Sequence, residues 1–169
     1  MAVNVQSRVG TTSNLPTNGT YDILLLSYPD GFPQGQLGFE FTDTPRKVTG
    51  LEKVVQTFLK VLMTTQGSDP VYPNRGTQFS ALTIHANLLT SDTLLYQELI
   101  GAVSAATSQV KSILNTVSSD PGSQLSTVDV LGLDVGEDSV VMYLRILTAN
   151  GVKASIAVPF PQLGLQTNA

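Results

Sequence analysis

At 169 residues and 18.0 kDa the chain is sized for one domain, able to bury roughly 70% of the surface its unfolded form exposes. It has no Cys and one His, which excludes disulfides, cysteine-bearing zinc sites and thiol nucleophiles. Nine Lys and Arg against 13 Asp and Glu give a net charge of -4 and a pI near 4.7, the wrong sign for a protein whose affinity comes from phosphate contacts, so nucleic acid is not an expected partner.

Residues 1–20 are mostly Ser, Thr, Asn, Gly and Gln with scattered Val, a composition that cannot offset its own ordering entropy and reads as a tail or arm. No apolar h-region opens the chain and no later run approaches a membrane span, so a soluble, untargeted chain with no membrane contact is expected. Asn18-Gly19-Thr20 matches a glycosylation acceptor but, without a secretory signal, reads as a chance loop tripeptide. Tyr21 to Tyr28 is an apolar run of strand length, and Phe39 to Thr42 alternates as a shorter strand. The loop of Gly and Pro from Pro29 to Gly38 lets the two form a hairpin. Residues 1–43 thus read as an N-terminal arm with short strands, and 44–169 as the main domain.

Thr49 and Glu52 have capping-box spacing, which predicts a helix beginning at Gly50 with both side chains on first-turn N–H groups. Leu51, Val54, Val55, Phe58, Leu59 and Leu62 follow helical spacing and form the buried stripe. Glu52, Lys53, Gln56, Thr57 and Lys60 take the solvent face. Gly67-Ser68-Asp69-Pro70 and Pro73-Asn74-Arg75-Gly76 end the helix in a loop dense in turn residues, shaped by Pro and by Gly at positive φ.

Leu82 to Leu89 carries no decisive period. Asp92 to Val117 does: Leu95, Leu99, Val103, Ala106, Val110, Ile113 and Val117 hold one stripe through Gly101, predicting a single long helix capped by Ser91 and Asp92. Gly101, Ala102, Ala105 and Ala106 make a smooth middle, read as packing against the first helix in preference to an oligomer seam.

From Ser126 the period switches to two. Val128 and Val130 share a phase that Leu131, Leu133 and Val135 reverse, which predicts a bulge near Leu131-Gly132. Val140 to Thr148 and Val152 to Val158 form a hairpin. A two-residue Asn150-Gly151 turn sets Arg145 opposite Ile156, whereas a three-residue Ala149-Asn150-Gly151 loop with Gly151 left-handed aligns Met142, Leu144 and Ile146 with Val158, Ile156 and Ala154. The second register is the expected one. Pro159 and Pro161, unable to donate to a ladder, are expected to end the strand. The fold class is α+β: two main helices packed on a C-terminal three-stranded antiparallel sheet, with an extended N-terminal arm and extra short strands.

Little in the chain offers chemistry. His85 is the single imidazole and no Gly-x-Ser-x-Gly elbow accompanies it, so it reads as a satisfied, partly buried residue. Glu40, Glu52, Glu98 and Glu137 fall in four unrelated elements and make no acid–base pair. Asp129, Asp134, Glu137 and Asp138 lack calcium-loop spacing, and the glycines make no phosphate loop. No catalytic residue, metal or cofactor is expected.

The stretch from Thr44 to Phe79 nevertheless has a distinctive order: Thr-Gly-Leu-x-Lys at the helix start, Gln56, a Leu-x-Thr ending, Gly-Ser-x-Pro, then Pro-Asn-x-Gly-Thr. It resembles the small baseplate wedge proteins, or sheath initiators, of contractile-tailed phages and related injection machines, a family once labelled lysozyme-like. The resemblance covers about a quarter of the chain closely and extends more loosely to the terminal hairpin. It implies a structural protein of the virion, assembled in the host cytoplasm, whose helices join other wedge subunits around the tail tube. Its sheet would be completed by strands of the tail sheath protein, with tube or hub proteins as further neighbours. Many relatives carry Glu-Pro-Arg between long helix and sheet, where this chain has Ser119-Asp120-Pro121-Gly122. The rival readings are a muralytic enzyme of the tail and a head-to-tail connector subunit.

Two interface expectations follow. The loop Gly67 to Gly76 is expected to be rigid and to contact a wedge subunit through Arg75, flanked by Asn74 and Gly76, the alternative being that Arg75 ties the loop to its own domain. The hairpin strand, with Ala154, Ser155, Ile156 and Ala157 undefended at its middle, is expected to receive a sheath strand at an open edge, unless the N-terminal strands cover it.

Overall fold

The computed structural model describes residues 22–23, 26–27, 38–39, 47–85, 92–135 and 139–161. The element order is β1 (Asp22–Ile23), β2 (Leu26–Ser27), β3 (Gly38–Phe39), β4 (Lys47–Val48), α1 (Gly50–Met63), α2 (Phe79–His85), α3 (Asp92–Val117), a 3-10 turn at Pro121–Ser123, β5 (Leu125–Val135), β6 (Ser139–Thr148) and β7 (Lys153–Pro161). The expectations for residues 1–20, the rest of the two N-terminal strands, the Ser91 cap and the turn at Glu137 and Asp138 lie outside the described residues. β2 and β3 pair antiparallel, Leu26 with Phe39, as the expected hairpin would have them. β1 pairs instead with β4, Asp22 opposite Val48, and so is bonded to the lead-in of α1.

The start of α1 departs from the capping-box expectation in mechanism. Thr49 occupies the cap position in extended backbone, φ -139°, but its side chain makes no cap hydrogen bond. Gly50, with φ +58°, lies in the left-handed region, and this turn at the helix mouth alters the entry angle that a Thr hydroxyl needs to reach the first-turn amides. At the far end Thr64 closes the helix, its N–H and its hydroxyl both donating to the Lys60 carbonyl at 3.0 and 2.6 Å. Val54, Val55, Phe58, Leu59 and Leu62 are buried as the stripe requires. The expected solvent face is corrected in part, because Lys53 and Gln56 are buried, as is Val61, which the expected pattern assigns to neither face. A helix sunk on both flanks has to satisfy the polar groups it takes inside, and neither Lys53 nor Gln56 lacks a partner.

α1 packs on α3 and reaches β6 and β7, while α3 lies along β5. The two helices therefore cover one face of a sheet ordered β5-β6-β7, antiparallel throughout, which is the α+β arrangement expected. Leu95, Leu99, Val103, Ala106 and Val110 bury the stripe of α3, but its last turn rotates: Leu114 is buried and Val117 is 61% exposed. Ala102 and Ala106 face the core while Gly101 and Ala105 are exposed. The sheet contributes Val140, Met142, Leu144, Ile146, Ala154, Ile156, Val158 and Phe160 to the same core, with Phe160 edge-on to Phe79 at 5.3 Å between ring centroids. Phe79 opens α2, a short helix that the period left undecided. The hydroxyl of Thr77 accepts the Phe79 N–H at 3.1 Å.

Strand registers follow the expectation closely. Val130 pairs with Leu144 and Gly132 with Tyr143, leaving Leu131 as the extra, exposed residue of a bulge. A second register shift, between Leu125 and Thr127, was not signalled by the pattern. Met142, Leu144, Arg145 and Ile146 pair with Val158, Ile156, Ser155 and Ala154, and Gly151 has φ +84°, as the three-residue loop demands. The prolines are the correction. β7 does not stop before Pro159 but continues to Pro161, with Pro159 opposite Val141 and Pro161 opposite Ser139. Backbone phase explains this: Thr148 N–H donates to the Val152 carbonyl at 2.9 Å, so Val152 and the alternate residues from Ala154 to Phe160 turn their amides toward β6. Pro159 and Pro161 take the outward phase, where an N–H has no ladder partner to lose.

Candidate interaction surfaces

The loop between α1 and α2 is tied at its base by a short ladder. Thr77 N–H donates to the Thr64 carbonyl at 2.8 Å, Gln66 N–H to the Thr77 carbonyl at 3.1 Å, and the Thr77 hydroxyl to the Leu62 carbonyl at 2.6 Å. Gln109 of α3 grips it from the side, accepting the Gly76 N–H at 2.9 Å and donating to the Gly76 carbonyl at 2.8 Å. Gly76 is buried at φ +100°, and a Cβ there would stand 2.4 Å from the Thr64 carbonyl oxygen. Its place is inside the hinge of the loop, away from any contact surface.

The tip is ordered by Asp69, whose Oδ1 accepts the N–H groups of Val71 and Tyr72 at 2.9 and 3.1 Å. Those backbone N–H bonds, Tyr72 first, hold its carboxyl below the usual range, with the Arg75 charge adding to the effect. The Arg75 guanidinium lies over the Tyr72 ring, 4.4 Å from its centroid. Asn74 is exposed beside it. Val71 is 72% and Tyr72 56% exposed, so the loop presents an apolar pair between Pro70 and Pro73 on a braced support. Sequence reasoning singled out Arg75 and passed over these two. The signal was present, since apolar residues between two prolines in a turn-rich loop have nowhere local to hide.

At the sheet, Ala154 and Ile156 turn their side chains into the core and their main chain toward β6. Ser155 and Ala157, with Lys153, are the residues whose main chain faces outward and whose side chains lie on the helix-free face. Among the described residues no hydrogen bond ties any of the three to a further strand, and β1 to β4 pair with one another and not with β7. On that same face Arg145 reaches Asp129 across the ladder at 2.8 Å, a half-exposed pair. The Arg145 hydrogen bond, followed by that from Thr127, lowers the Asp129 pKa. Tyr143 and Leu131 are exposed there as well, an apolar addition to what is usually the polar face of an antiparallel sheet.

His85, the single imidazole, is the last residue of α2. Among the described residues no three His, Asp or Glu side chains gather as a metal site would require, and no helix is long and apolar enough to cross a membrane. Comparison with protein-family models, with curated proteins and with solved structures finds no match to this chain.

Proposed function

We propose that this protein is a non-enzymatic structural subunit of a contractile-tail baseplate, joining neighbouring wedge subunits through the loop of Val71, Tyr72 and Arg75 and receiving a sheath strand along β7. The observation that carries the reading is the outer edge of β7. Three consecutive outward-facing residues, Lys153, Ser155 and Ala157, offer N–H and C=O groups with no described strand against them; Pro159 and Pro161 blunt the far end of the edge, which leaves a lone Lys as weak protection for this half. Main-chain bonds along such an edge give affinity and the alternating side chains give specificity. The order of residues from Thr44 to Phe79 supports the same assignment, and the braced loop supports the contact with other subunits, because a rigid Tyr–Arg tip loses little freedom on binding.

The decisive test is Ala157→Pro. This position shares the outward phase of Pro159 and Pro161, so the isolated subunit should keep its melting temperature within a few degrees, while an incoming strand loses a donor. Particles assembled with the variant should carry a baseplate and tube but no sheath. Normal sheath on those particles overturns the docking edge; locating the chain at the capsid portal by cryo-electron microscopy overturns the baseplate assignment. Release of reducing ends from peptidoglycan, abolished by changing one carboxylate, would restore the muralytic reading.

A further inference from the structure

The sheet has a second edge, and it is built differently. Arg145 and Leu147 of β6 face β5, where they pair with Asp129 and Thr127, so by alternation the main chains of Val128 and Val130 point away from the sheet. Among the described residues neither finds a hydrogen-bond partner outside the sheet. That edge does not look onto open solvent. It forms one wall of a groove of about 560 Å³ whose other wall is α3, with Tyr96, Ile100 and Val103 at one end and Lys111 at the other. Tyr96 and Ile100 are 37% and 40% exposed, each directly following a buried residue, Leu95 and Leu99. Val128 and Val130 turn their side chains toward the core yet remain only partly buried, and no described residue fills the space beside them.

We infer that this groove binds an extended segment of another protein as a fourth strand, antiparallel to β5, with aliphatic side chains at the Tyr96 end and an acidic side chain beside Lys111. Two features set the chemistry. Paired N–H and C=O groups from Val128 and Val130 are met in full by an extended backbone and by little else, giving four main-chain hydrogen bonds. Charge fixes direction and residue type: Asp129 is already neutralised by Arg145, whereas among the described residues Lys111 has no ion-pair partner. An antiparallel segment begins near Tyr96 and finishes near Lys111, because β5 runs from the Lys111 end of α3 toward the Tyr96 end. The chain's own leading stretch suits the site poorly, as residues 1–21 contain Arg8 and no acidic residue. This site is separate from the β7 edge and stands whether or not that edge binds sheath.

The test uses the full chain and a pool of amidated heptapeptides in which β-branched residues alternate with Thr, ending in Glu, beside the same pool ending in Lys. The Glu pool should slow hydrogen exchange of the Val128 and Val130 amides at least tenfold and leave those of β7 unchanged. N-methylation of the peptide amides that face β5 should abolish this, and methylation of the others should not. Lys111→Glu should reverse the preference between pools by about fivefold, the scale of a half-exposed ion pair, with Lys111→Gln removing it should the charge reversal weaken folding. Absence of protection at saturating Glu pool overturns the inference. So does protection already complete in the dilute free chain, which assigns the groove to the chain's own segment, or protection that rises with protein concentration alongside a dimer in sedimentation, which assigns it to a second copy.

Discussion

Two glycines of one loop, Gly67 and Gly76, both have positive φ, at +85° and +100°, but their surroundings differ. Gly67 has nothing within 4 Å of a built Cβ, so Gly67→Ala should cost only the left-handed backbone strain, about 1–2 kcal/mol. Gly76→Ala adds a collision with the Thr64 carbonyl and disturbs the Gln109 grip, and should cost about 3 kcal/mol or more in urea unfolding. Equal costs at the two sites would show that the loop base yields easily. Asp129 gives a pH-dependent counterpart. Its folded pKa lies below the unfolded value of about 3.9, so the pair's contribution is complete above that pH and is lost as pH falls through the folded pKa. Because both partners are half exposed, Asp129→Asn should cost only about 0.5 kcal/mol at pH 7, and the gap between the two proteins should close as pH falls through the lowered pKa of Asp129.

Strand β7 allows a sharp prediction from phase alone. In hydrogen exchange on the isolated subunit, amides of Ala154, Ile156 and Val158 should be strongly protected and those of Lys153, Ser155 and Ala157 should exchange fast; uniform protection would mean that the edge is covered. The hairpin register was legible because only one pairing puts Met142, Leu144 and Ile146 against Val158, Ile156 and Ala154, and the long helix because its stripe runs unbroken from Leu95 to Val110. The length of β7 was not legible. Proline excludes a residue from a ladder only when its N–H would point inward, and which way it points depends on the turn thirteen residues upstream of Pro161 at Thr148. α2 escaped notice because buried Phe79 and partly buried Leu82 are too short a sample of any period. The expected interface residues divided in the same way: composition pointed to the loop and the strand, but burial places Gly76, Ala154 and Ile156 inside and Val71 and Tyr72 at the surface. The Gln109 grip left no trace, since a Gln in mid-helix is unremarkable until the Gly76 main chain lies beside it.

At the scale of the molecule, one layer of helices covers one face of a three-stranded sheet, and α1 touches α2, α3, β6 and β7. Phe58→Ala, at a fully buried position on α1, should cost about 3–5 kcal/mol. Against a total stability of about 5–15 kcal/mol, this should lower the melting temperature of the whole domain in a single transition and not merely loosen one helix. The prolines of β7 have a last consequence, for molecules of this chain meeting one another. Any self-pairing of two β7 edges that overlaps more than three outward positions must include Pro159 or Pro161, which accept but cannot donate. Copies held in solution at high concentration therefore stall after at most three outward positions when they begin to zip together.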